Sequence, residues 1–452
     1  MATSRNRVIY QSEALFVGAA ATGYHATGVH TVAGKGPGKN PDQYKWTTNG
    51  TNHDAAAGEL VDAGIMYTGI GSTSIVRQLK RVQNANYSFT VNRTDVNQFG
   101  QLSRIDSLVT ETPTVSLDFS YLLTDGENER LLNFAVNGET NALSGQMDPL
   151  VGGKGQNFFI LTVPEGQDAV AGDKVSPADN TVISLGNGFV SDYSIEAAVG
   201  ALPTASLTVE GFNIKSNTNL TGDGTTASDN IHAATGIMTP AIDPNDGSKV
   251  CSRWFTLPVA ETGDGVTALR PGDITLDLQN AALFSKQVDG NANNLIPGAA
   301  HVQSVSISVP MARTVLQRLG NTFGFSREID FPVNVTVSVN ALVSELKNGD
   351  MLDLLCGDDA KDLKITMRNP ECVTCERGES PTGMIFEVKG AILESESYSS
   401  SIGDNKTVDL TYTAQIGGAT DTTKGLFISG ATTHGKLPRY WDADDNLIND
   451  GY

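Results

Sequence analysis

Apolar and polar residues alternate along two stretches of this chain with the period of half-buried strands, and the same two stretches recur further on. Ala85, Tyr87, Phe89 and Val91 alternate with Asn, Ser and Thr, and Val115, Leu117, Phe119 and Tyr121 follow with the same period. Val305, Ile307, Val309 and Met311 repeat the first pattern, and Val335, Val337, Val339 and Ala341 repeat the second. Each pair is followed by a helix-like stretch, 127–136 and 346–355, with Asp125-Gly126 and Asn348-Gly349 as turn signals near the starts. The pattern predicts two equivalent sheets, one pairing 85–91 with 115–121 and the other pairing 305–311 with 335–341.

Residue identities follow the same repeat at a constant offset of 220. Val82-Gln83, Ser88, Arg93-Thr94, Gly100, Val115, Leu122, Asn128 and Leu132 reappear as Val302-Gln303, Ser308, Arg313-Thr314, Gly320, Val335, Leu342, Asn348 and Leu352. A second block matches 188–194 to 390–396 and 204–209 to 407–412, at an offset of 202 to 203. A third and weaker block matches Gln11 to Phe16 with Gln279 to Phe284, at an offset of 268. Three blocks in one order favour duplication. The expected organisation is a first copy over 1–212 with a long loop insertion at about 19–66. A linker or surface insertion, rich in Asn, Thr, Gly and Asp, follows over 213–265, and a second copy spans 266–452.

Composition agrees with a mainly β chain rich in turns. Of 452 residues only 18% are charged, Gly is frequent at 47, and the apolar fraction is 39%. No apolar run is long enough for a membrane-spanning helix, and the polar N-terminal segment has no signal-peptide core. The net charge of −20 argues against a protein that grips nucleic acid through its phosphates, but permits a surface that nucleic acid slides past. Four cysteines are too few for a disulfide scaffold.

The motifs that carry catalysis or cofactors all fall short. Residues 33–40 resemble a phosphate loop, but Ala33 replaces the first Gly and Asn40 follows Lys39 in place of Ser or Thr. Cys372 and Cys375 form one C-x-x-C pair, with Cys251 and Cys356 scattered and no histidine near, so they read first as reduced thiols in a loop, with a metal or a local disulfide as the alternatives. Asp442, Asp444 and Asn446 have calcium-loop spacing, but Leu447 replaces the turn glycine. His25, His30 and His53 lie in the insertion and read as solvent-exposed. The residues therefore nominate no catalytic, cofactor-binding or metal site, and the chain is expected not to be an enzyme. Arg93 and Arg313 are the most suggestive polar pair. Sharing one place in both copies, they are expected to make the same structural ion pair or the same subunit contact.

The opening 6–13, the segment from Arg81-Val82-Gln83 through Tyr87-Ser88-Phe89 to 114–119, and 193–196 through 203–206 resemble the major tail proteins of tailed bacteriophages, the subunits of the tail tube. The resemblance implies a β-sandwich or small barrel with one short flanking helix per copy. It implies subunits that join edge to edge into rings and rings that stack into a tube for DNA delivery. Two copies per chain imply trimeric rings with pseudo-sixfold symmetry. The implied partners are further copies of the chain and other tail proteins (tape measure, terminator, hub). DNA would pass through without specific binding, and no membrane is involved. The implied location is the virion tail, after synthesis in the bacterial host cytoplasm. A trimeric tail hub or baseplate protein that caps the tube and a capsid decoration protein are the alternatives.

Overall fold

The computed structural model describes residues 13–19, 45–48, 51–54, 76–147, 155–163, 169, 180–218, 237–238, 240–242, 254–255, 268–271, 274–278, 300–343, 360–368, 382–400, 405–430, 440–441 and 447–448. The protein is mainly β. Eight strands follow one another, all antiparallel, in the order Thr382–Ser399, Thr407–Gln415, Asn334–Val343, Ala300–Pro310, Thr181–Ala198, Thr204–Gly211, Thr114–Leu122 and Val82–Thr90. The predicted strand pairings are present, but they are not two separate sheets. They are the two halves of one, because Asp192–Ala198 pairs directly with Ser304–Pro310.

Two strands of 18 residues each, Thr181–Ala198 and Thr382–Ser399, carry the chain from a second layer into this sheet. Each has a β-bulge near its middle, at Ser191 and at Glu394. An extra residue bends and twists a strand, so the N-terminal half of each leaves the shared sheet. The N-terminal half of Thr181–Ala198 pairs with Gln156–Thr162 and Asn213–Thr218, and Glu13–Ala19 lies beyond Gln156–Thr162. The N-terminal half of Thr382–Ser399 pairs with Lys361–Arg368 and Gly425–Gly430, and Ile274–Leu278 lies beyond Lys361–Arg368.

The two halves share ladder register at the offset read from the sequence. Val82 lies opposite Tyr121 and Val302 opposite Ala341, and the next residue, Gln83 or Gln303, is bulged in both. The hairpin of Arg93–Val96 with Asp106–Val109 places Arg93 opposite Val109, and that of Arg313–Leu316 with Ser326–Ile329 places Arg313 opposite Ile329. Gly100 and Gly320 turn the two hairpins with φ of 87° and 89°, a backbone that favours glycine. The inward residues Val115, Leu117, Phe119 and Tyr121 and their counterparts Val335, Val337, Val339 and Ala341 are all buried in one continuous core.

Some expectations change and others lie outside the described residues. The N-terminal strand Glu13–Ala19 has a positional counterpart in Ile274–Leu278, whereas the matched 279–284 lies outside the described residues. Glu13 faces Thr162 and Val17 faces Phe158, while Ile274 faces Met367 and Leu278 faces Leu363. The helix of the first half is shorter than 127–136. It spans Glu127–Leu131 and ends where Asn133 adopts φ of 65°, a common helix stop for asparagine. A second short helix, Ser144–Met147, follows it. The segment 213–265 is not linker throughout. Asn213–Thr218 is a strand of the first half, and Asn187 holds the buried Ile242 through both its backbone N–H (2.7 Å) and its carbonyl (3.2 Å). The second helix-like stretch, 346–355, lies outside the described residues, as does most of the 19–66 insertion apart from a short hairpin of Lys45–Thr48 with Thr51–Asp54.

Candidate assembly interface

The contact between the two halves is built by alternation. Tyr193, Ile195 and Ala197 point to the core from one strand, opposite Val309, Ile307 and Val305 of the next, and all six are buried. The hairpin that follows Ala300–Pro310 seals the joint. Arg313 donates through Nε to the carbonyl of Val190 (2.9 Å), through Nη2 to Oε1 of Gln146 (3.0 Å), and through Nη1 to the carbonyl of Arg327 (3.3 Å). Its guanidinium lies 5.3 Å from the centre of the Phe189 ring. Burial lowers its pKa to about 10, which leaves it charged at neutral pH. Arg327 is buried against Glu210 in an ion pair and stacks over Phe212 at 4.9 Å. The backbone N–H of Met311 donates to the carbonyl of Ser191 (2.9 Å) at the end of the ladder.

A buried carboxylate pins the first helix to this sheet. Tyr121 and Tyr193 donate their hydroxyls to Oε1 of Glu129, at 2.8 and 3.2 Å. The Asn128 side chain accepts from the Lys80 N–H (2.9 Å) and donates to the Lys80 carbonyl (2.8 Å), so the helix also grips the start of the edge strand. Burial pushes the Glu129 carboxyl up to about 7, against the two tyrosine hydrogen bonds.

Both ends of the eight-strand sheet are open among the described residues. Val82–Thr90 pairs only with Thr114–Leu122, and the C-terminal half of Thr382–Ser399 pairs only with Thr407–Gln415. Positions buried inside the joint are exposed at these ends. Ile307 and Val309 are 1% and 0% exposed, whereas their counterparts Tyr87 and Phe89 are 46% and 61% exposed. Ile392 and Tyr398 are exposed at the opposite edge. Unpaired edges with outward apolar residues are templates for another strand.

The outer face of the same sheet is polar and carries no cation. The eight strands, within this sheet, contain no Lys or Arg, although the whole chain has 31. Ser116, Asp118, Ser120, Asp192, Ser194, Glu196, Ser306, Ser308 and Asp409 line it instead. Several are tied across strands, as in Thr208 donating to Asp118 (2.8 Å) and Asn84 donating to Ser120 (2.8 Å).

No family model and no curated protein matches the chain. Solved structures similar to part of it include the following two. One is the SPP1 tail tube determined by solid-state NMR and cryo-EM, with 14% identity over 36% of this chain and 80% of that one and a TM-score of 0.22. The other is the virion of a native gene transfer agent particle, with 12% identity over 36% of this chain and 100% of that one and a TM-score of 0.18.

Of the residues singled out in the sequence, Arg313 caps one end of the joint and Arg93 stands exposed on the free hairpin. They do not make the same contact within one chain. Cys251, Cys356, Cys372, Cys375, His25, His30, Asp442, Asp444 and Asn446 lie outside the described residues. Among the described residues no three His, Cys, Asp or Glu side chains gather as metal ligands would. Sequence reasoning missed Glu129 and Arg327. Both are charged side chains taken into the interior, and only the packing of separate elements around them makes that visible.

Proposed function

We propose that this chain is a structural virion protein of the tail-tube type, an internally duplicated subunit whose copies close into rings of three and stack into a channel for DNA. The reading follows from one relationship. The chain already joins two similar sheet halves edge to edge, and it leaves free the two edges that would continue the same joint.

Dimensions are compatible with rings of three and exclude rings of two. Three chains give roughly 24 strands; at about 4.8 Å spacing and about 40° tilt, their barrel is roughly 48 Å across the backbone, with a channel of roughly 38 Å between side chains. Two chains would leave only about 20 Å, too tight for a hydrated DNA duplex. The cation-free face suits the inside of such a channel, because hydroxyl and carboxylate groups give phosphates no counter-charge to bind. The apolar face of the sheet meets the second layer and cannot line water.

Electron microscopy of the purified protein, with symmetry determined and not imposed, tests the reading. Stacked hollow rings of three chains are expected. Single trimeric rings that never stack would assign the chain to a tail hub, and six chains per ring or a persistent monomer would overturn the proposal.

A further inference from the structure

The joint inside the chain also specifies the joint between chains. We propose that the edge Ser395–Ser400 of one chain pairs antiparallel with Ala85–Thr90 of a second copy in the internal register, and that Arg93 of that copy caps the junction on the Leu393 carbonyl. This inference rests on the ring reading above and adds to it the partner surface, the register and the capping residue.

The register comes from two offsets. Ladder positions in the first edge map onto the second at 203, as Tyr193 facing Leu207 maps to Glu396 facing Leu410. Positions in the other edge map at 220, as Val82 facing Tyr121 maps to Val302 facing Ala341. Within the chain Ser194 lies opposite Ser308 and Ile195 opposite Ile307. Applying both offsets puts Ser397 opposite Ser88 and Tyr398 opposite Tyr87. The two exposed tyrosines then meet on the face where two isoleucines are buried in the internal joint, and aromatic cross-strand pairs stabilise such contacts. The bulges agree, since Glu394 occupies the place of Ser191, and Val91 inherits the N–H that Met311 donates to the Ser191 carbonyl.

The same mapping explains why an arginine recurs. Arg313 donates to the carbonyl of Val190 beside the Ser191 bulge, and Arg93 is its counterpart at the free end. Val190 maps to Leu393, beside the bulge at Glu394. Phe189, under the Arg313 guanidinium, maps to the exposed Ile392, so the cation–π contact is replaced by apolar cover for the arginine stem.

Cysteine cross-linking of native assemblies decides the register. The paired variant Ser88→Cys with Ser397→Cys, oxidised after assembly, is expected to yield covalent dimers and trimers on denaturing gels, with each single variant as control. The offset pair Ser88→Cys with Ser399→Cys is expected to cross-link at least tenfold less. Arg93→Ala is expected to raise the concentration for half-assembly at least tenfold while leaving the melting temperature of the dispersed chain unchanged. Trimeric rings that cross-link only through the offset pair, or that assemble normally with Arg93→Ala, would overturn this inference and leave the ring reading standing. Unmodified protein that never forms rings would overturn both.

Discussion

Tyr193 donates its hydroxyl to the buried carboxylate of Glu129 at 3.2 Å, so the strand that joins the two halves is tied to the helix of the first. Tyr121 shares the same oxygen. Burial holds the Glu129 carboxyl at about 7, above its ordinary value of 4.5. The folded chain therefore binds a proton between these values that the unfolded chain has released. Stability associated with the neutral carboxyl is fully present below pH 4.5 and is lost as pH rises through 7. Denaturant titrations of the dispersed chain should fall by up to about 3 kcal/mol from pH 5 to pH 8, and Glu129→Gln should flatten that slope. An unchanged slope in Glu129→Gln would assign the pH dependence elsewhere.

One position, occupied in the two halves by Val309 and Phe89, separates folding from assembly. Val309→Ser should destabilise the dispersed chain by about 2–3 kcal/mol, because it removes a fully buried side chain and inserts a hydroxyl. Phe89→Ser should leave that stability nearly unchanged and weaken ring formation. Chemical denaturation and sedimentation, run on both variants, read the two effects separately.

Arg327 is buried, while its partner Glu210 is partly open to solvent. Arg327→Ala leaves a partly buried carboxylate without its counter-charge and an empty volume beside Phe212. A loss of about 3 kcal/mol is expected in urea unfolding. Combining it with Glu210→Gln should recover part of that loss, and full additivity would mean the pair is not coupled.

Reversing the character of the cation-free face tests its role. Ser206→Lys with Ser308→Lys should leave the fold intact, since Ser206 is exposed and Ser308 only half-buried on the polar side. Assembled tubes of this variant should retain DNA at low salt and release it as salt rises, whereas unmodified tubes should not retain it. Equal DNA retention by both would place this face outside the channel.

The hairpin tips carry Phe99 and Leu319, both fully exposed at matching positions. Phe99→Ser with Leu319→Ser should shorten stacked tubes in micrographs while leaving single rings unchanged.

The alternation of apolar and polar residues determined the strands by itself, because a strand with one buried face must repeat with period two. The offset of 220 read along the chain is also the spacing between matching ladder positions. Gln83 and Gln303, Gly100 and Gly320, and the two hairpins all fall where an offset of 220 puts them. The sequence could not say which of two equivalent strands is interior. Ile307 and Tyr87 carry the same pattern, and only the pairing of Asp192–Ala198 with Ser304–Pro310 buries one and leaves the other open. Nor could it place Glu129, Arg313 and Arg327, which reach Tyr193, Val190 and Glu210 across 64, 123 and 117 residues. Periodicity is a local property and is written along the chain. Burial of a charge and exposure of an edge depend on which distant segment arrives beside it, and only the tertiary structure decides that.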